Sequence, residues 1–181
     1  MFTQKKTFIF QKIFSSFVFV VYCIQLLKKK GGDMMKRVYA AYGSNLNGAA
    51  MRERCPSAVI VGTAQLVDTA LEYRGSAPRV YLTLTEKKGA TTPLGIWAVT
   101  ESDEEALDNY EIFPELYRKE IRHVQLTERE TGVVKDTAVF LYTMVDGMPL
   151  GTPDADYVAV CRAGFEDFGF EPHILDCAAR K

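Results

Sequence analysis

Between Arg37 and Thr143 the chain carries seven runs rich in β-branched and aromatic residues, separated by short breaks. That rhythm constrains the fold more than any other feature, because closely spaced strands must pair with one another or leave edges open. The runs are Arg37–Tyr42, Ala58–Val67, Ala70–Arg74, Arg79–Thr85, Pro93–Thr100, Tyr117–Leu126 and Lys135–Thr143. Asp68 and Gly75-Ser76 read as breakers, and the last two runs are expected to pair across a turn near Thr131-Gly132. Helical spacing is confined to four places. Asn47 can cap a short helix that lasts to Arg54, since Pro56 prevents its continuation. Ser102–Glu105 has capping-box spacing and opens a helix through about Tyr110. Asp154–Phe168 stops at Gly169, and Pro172–Ala179 forms a last short helix. Many strands with few, dispersed helices predict an α+β fold, with a mostly antiparallel sheet or barrel.

The first thirty-four residues are a different kind of sequence. They hold six Lys and one acid, Asp33, for a charge of +5, while 35–181 carries −6. Residues 1–30 lack Ala, Gly, Pro, Arg, Asp and Glu, yet hold six of the eleven Phe. The apolar run Ile13–Leu27 is short for a spanning helix, which needs about 20 residues, and fits a signal-peptide core better. No small-x-small cleavage site follows it. Phe, Ile and Lys are what AT-rich DNA encodes, and Lys30-Gly31-Gly32-Asp33 can be written as a strong bacterial ribosome-binding sequence just before Met34 and Met35. The expectation is that residues 1–33 are upstream DNA read in frame, or else a signal or membrane anchor. The segment 35–181 is expected to form one domain, with no membrane association if translation starts at Met34 or Met35.

With 48% hydrophobic residues the chain has ample material for a core, and a net charge of −1 gives no reason to expect nucleic acid. The four Cys (23, 55, 161, 177) form no CxxC pair, which argues against a disulfide framework and for a reducing compartment, the cytoplasm. Cys161 sits in an apolar helical stretch and is expected in the core. With only His123 and His173, a zinc site or a Cys–His dyad has little material, so no metal is expected.

Two stretches could carry chemistry. Tyr42-Gly43-Ser44-Asn45-Leu46-Asn47 ends a strand and leads into a helix, so backbone N–H groups and short polar side chains gather at one point. Such a turn can hold a carboxylate or a developing oxyanion, and it can equally be an ordinary connection. Ser44 lacks a Gly-x-Ser-x-Gly elbow and an obvious His, which argues against a nucleophile. The second stretch is Leu107-Asp108-Asn109-Tyr110-Glu111-Ile112-Phe113-Pro114. Glu111 ends a helix beside aromatic and apolar residues, where a carboxyl can have a raised pKa suited to proton transfer near neutrality. Glu104, Glu105 and Glu115 read as surface acids, with Glu105 in the capping role.

Together, Tyr-Gly-Ser-Asn-Leu at the end of the first strand and Leu-Asp-x-Tyr-Glu about 65 residues later resemble the γ-glutamylcyclotransferase-like (AIG2-like) family. Arg54-Cys55-Pro56, Gly62-x-Ala64-x-Leu66, Tyr117-Arg118 and Gly164-Phe165-x-Asp167-Phe168-Gly169-Phe170 agree with it. The resemblance implies a compact mixed β-barrel flanked by helices, with a cavity at one end. It also implies a cofactor-independent release of 5-oxoproline from small-molecule γ-glutamyl compounds. The family's catalytic Glu falls on Glu111 and its substrate loop on Tyr42, Gly43, Ser44, Asn45 and Leu46. Tyr117 matches a pocket aromatic, and Tyr142 on a later strand is a further pocket candidate.

One departure stands out. Many relatives have Gly directly after the Glu, where this chain has Ile112. Isoleucine does not readily take φ > 0, so a different local turn or pocket wall is expected there, bearing on substrate choice rather than on catalysis. Two competing readings keep the same fold: a non-catalytic small-molecule-binding module, and an enzyme acting on a different γ-glutamyl amide in biosynthesis.

Overall fold

A computed structural model describes residues 37–179 of the protein. The readings of residues 1–33 and of Met34 or Met35 as the start lie outside the described residues.

Five strands close into a barrel in the order β1-β3-β2-β4-β5. They are β1 (Arg37–Ala41), β2 (Val59–Ser76), β3 (Arg79–Val99), β4 (Tyr117–Glu128) and β5 (Val134–Met144). Every pairing is antiparallel except the closing one, where β1 runs parallel to β5 at Tyr39↔Phe140. Four α-helices accompany the barrel among the described residues: α1 (Gly48–Arg54), α2 (Glu101–Tyr110), α3 (Ala155–Asp167) and α4 (His173–Ala178). This is the α+β, mostly antiparallel mixed barrel that the sequence predicts. Among these residues no helix is long and apolar enough to cross a membrane.

Four of the expected strands are in fact two long ones. Asp68 does not end a strand; it takes φ 56 and sits in a bulge between the pairs Val67↔Thr91 and Thr69↔Glu86. Residues 87–90 loop out opposite it, and the Gly89 N–H donates to the Asp68 carboxylate at 2.7 Å. A breaker flanked on both sides by strongly pairing residues bends a ribbon instead of terminating it. Pro93, expected at a strand start, accordingly lies inside β3, opposite Gln65.

The helix after β3 is also capped two residues earlier than Ser102–Glu105 suggests. Thr100 is the N-cap and forms a reciprocal capping box with Asp103, which the buried pair satisfies without solvent. Glu105 therefore has no capping role. Glu104, expected on the surface, is only 6% exposed. It faces inward, where Arg37 grips both its oxygens at 2.9 and 2.8 Å and Lys119 donates at 2.6 Å. Such charge-assisted bonds are what a carboxylate withdrawn from water requires.

The connection from β1 to α1 is clamped from two sides. It begins as a 3-10 turn over Ser44–Leu46, closed by the Leu46 N–H on the Gly43 carbonyl. Leu46 is fully buried, lying between Gly95 of β3 and Gly164 of α3. Asn47 caps α1 through the Ala50 N–H at 2.9 Å, and Asp167 at the end of α3 accepts from the Gly48 N–H at 2.8 Å. Cys161 lies on the same helix and is fully buried, as expected of a core residue.

Candidate active site

The clamped turn and the end of α2 meet at the barrel mouth. Asn45 joins them: its amide nitrogen donates to the Tyr39 hydroxyl at 2.9 Å and to a Glu111 carboxylate oxygen at 2.7 Å. Its carbonyl oxygen accepts from Arg54, which also stacks its guanidinium 3.3 Å from the Tyr110 ring centroid. Three of the four hydrogen-bonding capacities of a 3% exposed amide are thereby engaged, which fixes both its orientation and that of the acid.

Glu111 is the C-cap of α2. Burial pushes its pKa up to about 7, against the opposing pull of Arg54 and of the Asn45 hydrogen bond. The phenols around it shift upward as well. Tyr39, Tyr42, Tyr117, Tyr142 and Tyr157 are all raised by burial, most of them further by the Glu111 charge, so they stay protonated. The pocket thus pairs one acid that titrates near neutrality with a wall of neutral hydroxyls.

Two adjoining cavities open on this acid. The first is lined by Tyr39, Tyr42, Gly43, Ser44, Asn45, Leu82, Glu111, Tyr117, Tyr142 and Tyr157. The second, about 100 Å³, shares Ser44, Glu111, Tyr117 and Tyr157 and adds Tyr81, Tyr110, Ile112 and Leu116. Several wall phenols point their protons into the protein. Tyr42 donates to the Tyr142 carbonyl at 2.5 Å, Tyr117 to the Leu82 carbonyl at 2.7 Å and Tyr142 to Asp108 at 2.6 Å. These bonds hold the rings as rigid walls. Asp108 is held in turn by Lys119 at 2.8 Å.

Of the residues singled out from the sequence, Tyr42, Gly43, Ser44, Asn45, Glu111, Tyr117 and Tyr142 all line the first cavity. Leu46 does not. The 3-10 turn rotates its side chain into the core and engages its N–H, leaving positions 43 to 45 to face the cavity. Ser44 pairs with the Tyr110 hydroxyl at 3.1 Å, and neither His123 nor His173 lines either cavity.

The family model described as gamma-glutamyl cyclotransferase, AIG2-like, matches residues 39–159 of the chain. The protein belongs to that family. Solved structures agree on the fold. One named "Gamma-glutamyl cyclotransferase" shares 21% identity at a TM-score of 0.68, over 80% of this chain and 87% of its own. The uncharacterized protein loc79017 from Homo sapiens shares 22% identity at 0.67, over 80% and 87%. YkqA from Bacillus subtilis shares 18% at 0.63, covering 86% of this chain and 56% of that one. No curated protein matches the sequence.

In this AIG2-like protein the turn after the acid also departs from expectation. Ile112 does adopt φ 52, so the conformation that Gly would take easily is kept by a β-branched residue. The surrounding bonds impose it: the Phe113 N–H donates to the Asp108 carbonyl and the Leu116 N–H to the Ile112 carbonyl, each at 2.9 Å. What differs is the cavity wall, which gains a side chain 40% exposed.

Sequence reasoning missed Tyr39, Arg54, Tyr81, Tyr110, Leu116 and Tyr157 as parts of the site. Tyr39 carried a signal in hindsight, since inward-facing positions of a barrel strand line its interior. Tyr157 reaches the site from α3, more than a hundred residues beyond the loop, and only the packing of that helix reveals it.

Proposed function

We propose that the protein releases 5-oxoproline from a γ-glutamyl amino acid, peptide or amine, with Glu111 moving the protons. The observation that carries this reading is an acid poised near pH 7, oriented by Asn45 and walled by neutral phenols at the edge of an open pocket. Family membership supports it, since γ-glutamyl compounds are the family's substrates. We assign the activity to the segment 35–181, and free Cys55, Cys161 and Cys177 fit a reducing, cytoplasmic setting.

The chemistry follows from these groups. The substrate's α-ammonium gives a proton to the Glu111 carboxylate, and the freed lone pair adds to the γ-carbonyl carbon. A C–N bond forms, closing a five-membered ring and placing negative charge on oxygen. Glu111 returns its proton to the departing nitrogen as the old C–N bond breaks and the carbonyl re-forms. The second proton leaves the ring nitrogen through the regenerated carboxylate and passes to the product amine or water. Because the reaction is intramolecular, folding the substrate into the attacking conformation supplies much of the acceleration. Gly43, Ser44 and Asn45 are the loop positions that face the substrate's carboxylate or oxyanion. The scheme calls for neither cofactor nor metal.

The test is the pH dependence of 5-oxoproline release. Below about pH 7 the free enzyme's Glu111 is protonated and cannot accept the ammonium proton. Hence kcat/KM is expected to fall about tenfold per unit from pH 7 toward 5. A profile flat over that range contradicts Glu111 as the base.

A further inference from the structure

The second cavity has a chemistry of its own. It abuts Glu111 on the side away from Asn45's partner Tyr39, and its added walls are two phenol rings and two branched aliphatic chains, Tyr81, Tyr110, Ile112 and Leu116. No Lys, Arg or His lines it. Arg54 is not among its walls; its guanidinium is occupied with the Tyr110 ring and Asn45. Tyr110 and Ile112 are 44% and 40% exposed beside Glu111, Tyr110 with one ring face taken by Arg54 and its hydroxyl by Ser44. Ile112 is moreover held at φ 52, a conformation that is an outlier for a β-branched residue. Strain of this kind concentrates where a side chain has work to do on a ligand.

We propose that this cavity receives the departing half of the substrate and selects an apolar, aromatic or branched amine that carries no carboxylate. The inference rests on the cyclotransferase reading above, because it is that reaction which leaves an amine beside Glu111. An apolar group seated here covers Tyr110 and Ile112 and removes their surface from water. A carboxylate in the same place finds no cation and faces the Glu111 charge, so it is desolvated without a partner.

Three γ-glutamyl compounds separate the terms: the methylamide, the phenethylamide and γ-glutamyl-phenylalanine, which differs from the phenethylamide only by its carboxylate. With 5-oxoproline as readout, kcat/KM for the phenethylamide is expected to exceed each of the others by about tenfold or more. In Ile112→Gly, which suits the local backbone, the phenethylamide-to-methylamide ratio is expected to fall about fivefold. Leu116→Ala should lower the same ratio. Equal rates across the three, or γ-glutamyl-phenylalanine as the best of them, overturn the inference while leaving the cyclotransferase reading intact. No 5-oxoproline from any of the three overturns both.

Discussion

Glu111→Gln is expected to lower 5-oxoproline release by roughly 10³-fold while leaving the fold in place. The substitution keeps the side chain's shape and an oxygen for the Asn45 amide, which donates at 2.7 Å, but it removes the carboxylate proposed to carry the protons. The same variant has a thermodynamic signature that a merely inactive protein would lack. Glu111 ionises at its ordinary 4.5 when the chain is unfolded and at about 7 in the fold. Between those values the folded state holds the proton and the unfolded state does not, so wild-type stability declines as pH rises through that window and remains lower above it. Glutamine does not titrate. The variant should therefore match wild type near pH 4 and exceed it by about 2–3 kcal/mol at pH 8 in denaturant melts. A stability difference independent of pH would mean that the acid is not perturbed, whatever the activity does.

Gly164→Ala is expected to destabilise the protein by about 2 kcal/mol and to depress turnover with it. Gly164 lies inside α3, where intrinsic propensity favours alanine by about 1 kcal/mol, so the prediction opposes the usual trend. The reason is the approach of the helix to the turn over Ser44–Asn47. A Cβ there would meet the Asn47 backbone nitrogen at 2.5 Å, with Leu46 Cβ and carbonyl carbon at 2.7 and 2.8 Å. Main-chain atoms cannot rotate aside, so the helix must lift or the loop must shift, and the loop carries Asn45. Thermal melts beside steady-state rates check this. A variant as stable as wild type would show that α3 does not press on the turn.

How much of this was legible beforehand depended on whether the relevant partners were near in sequence. Tyr42–Asn45 and Glu111 stood out because each belongs to a contiguous run whose residue types carry its chemistry. Cys161 and the cap at Asn47 were legible for the same reason, being set by helical spacing and by one side chain. Asp68 was misread as a stop because a bulge depends on what the neighbouring strand does, and that strand lies some twenty residues away in sequence. Glu104 was misread because a two-residue difference in the cap position, Thr100 rather than Ser102, decides which side of α2 faces the barrel. Leu46 belonged to the right loop but, in a 3-10 turn, not to the side that faces the cavity. Tyr157 and Arg54 reach the acid only through the packing of helices that no local pattern orients.

Ring closure with Glu111 as the proton carrier is tested most directly by product balance. Purified protein should convert a γ-glutamyl amide into 5-oxoproline and free amine in equal amounts, with no free glutamate, identified by mass spectrometry. Glutamate plus amine would instead mean that water attacks the γ-carbonyl, and the cavity beside Glu111 would then be that of a hydrolase rather than a cyclotransferase.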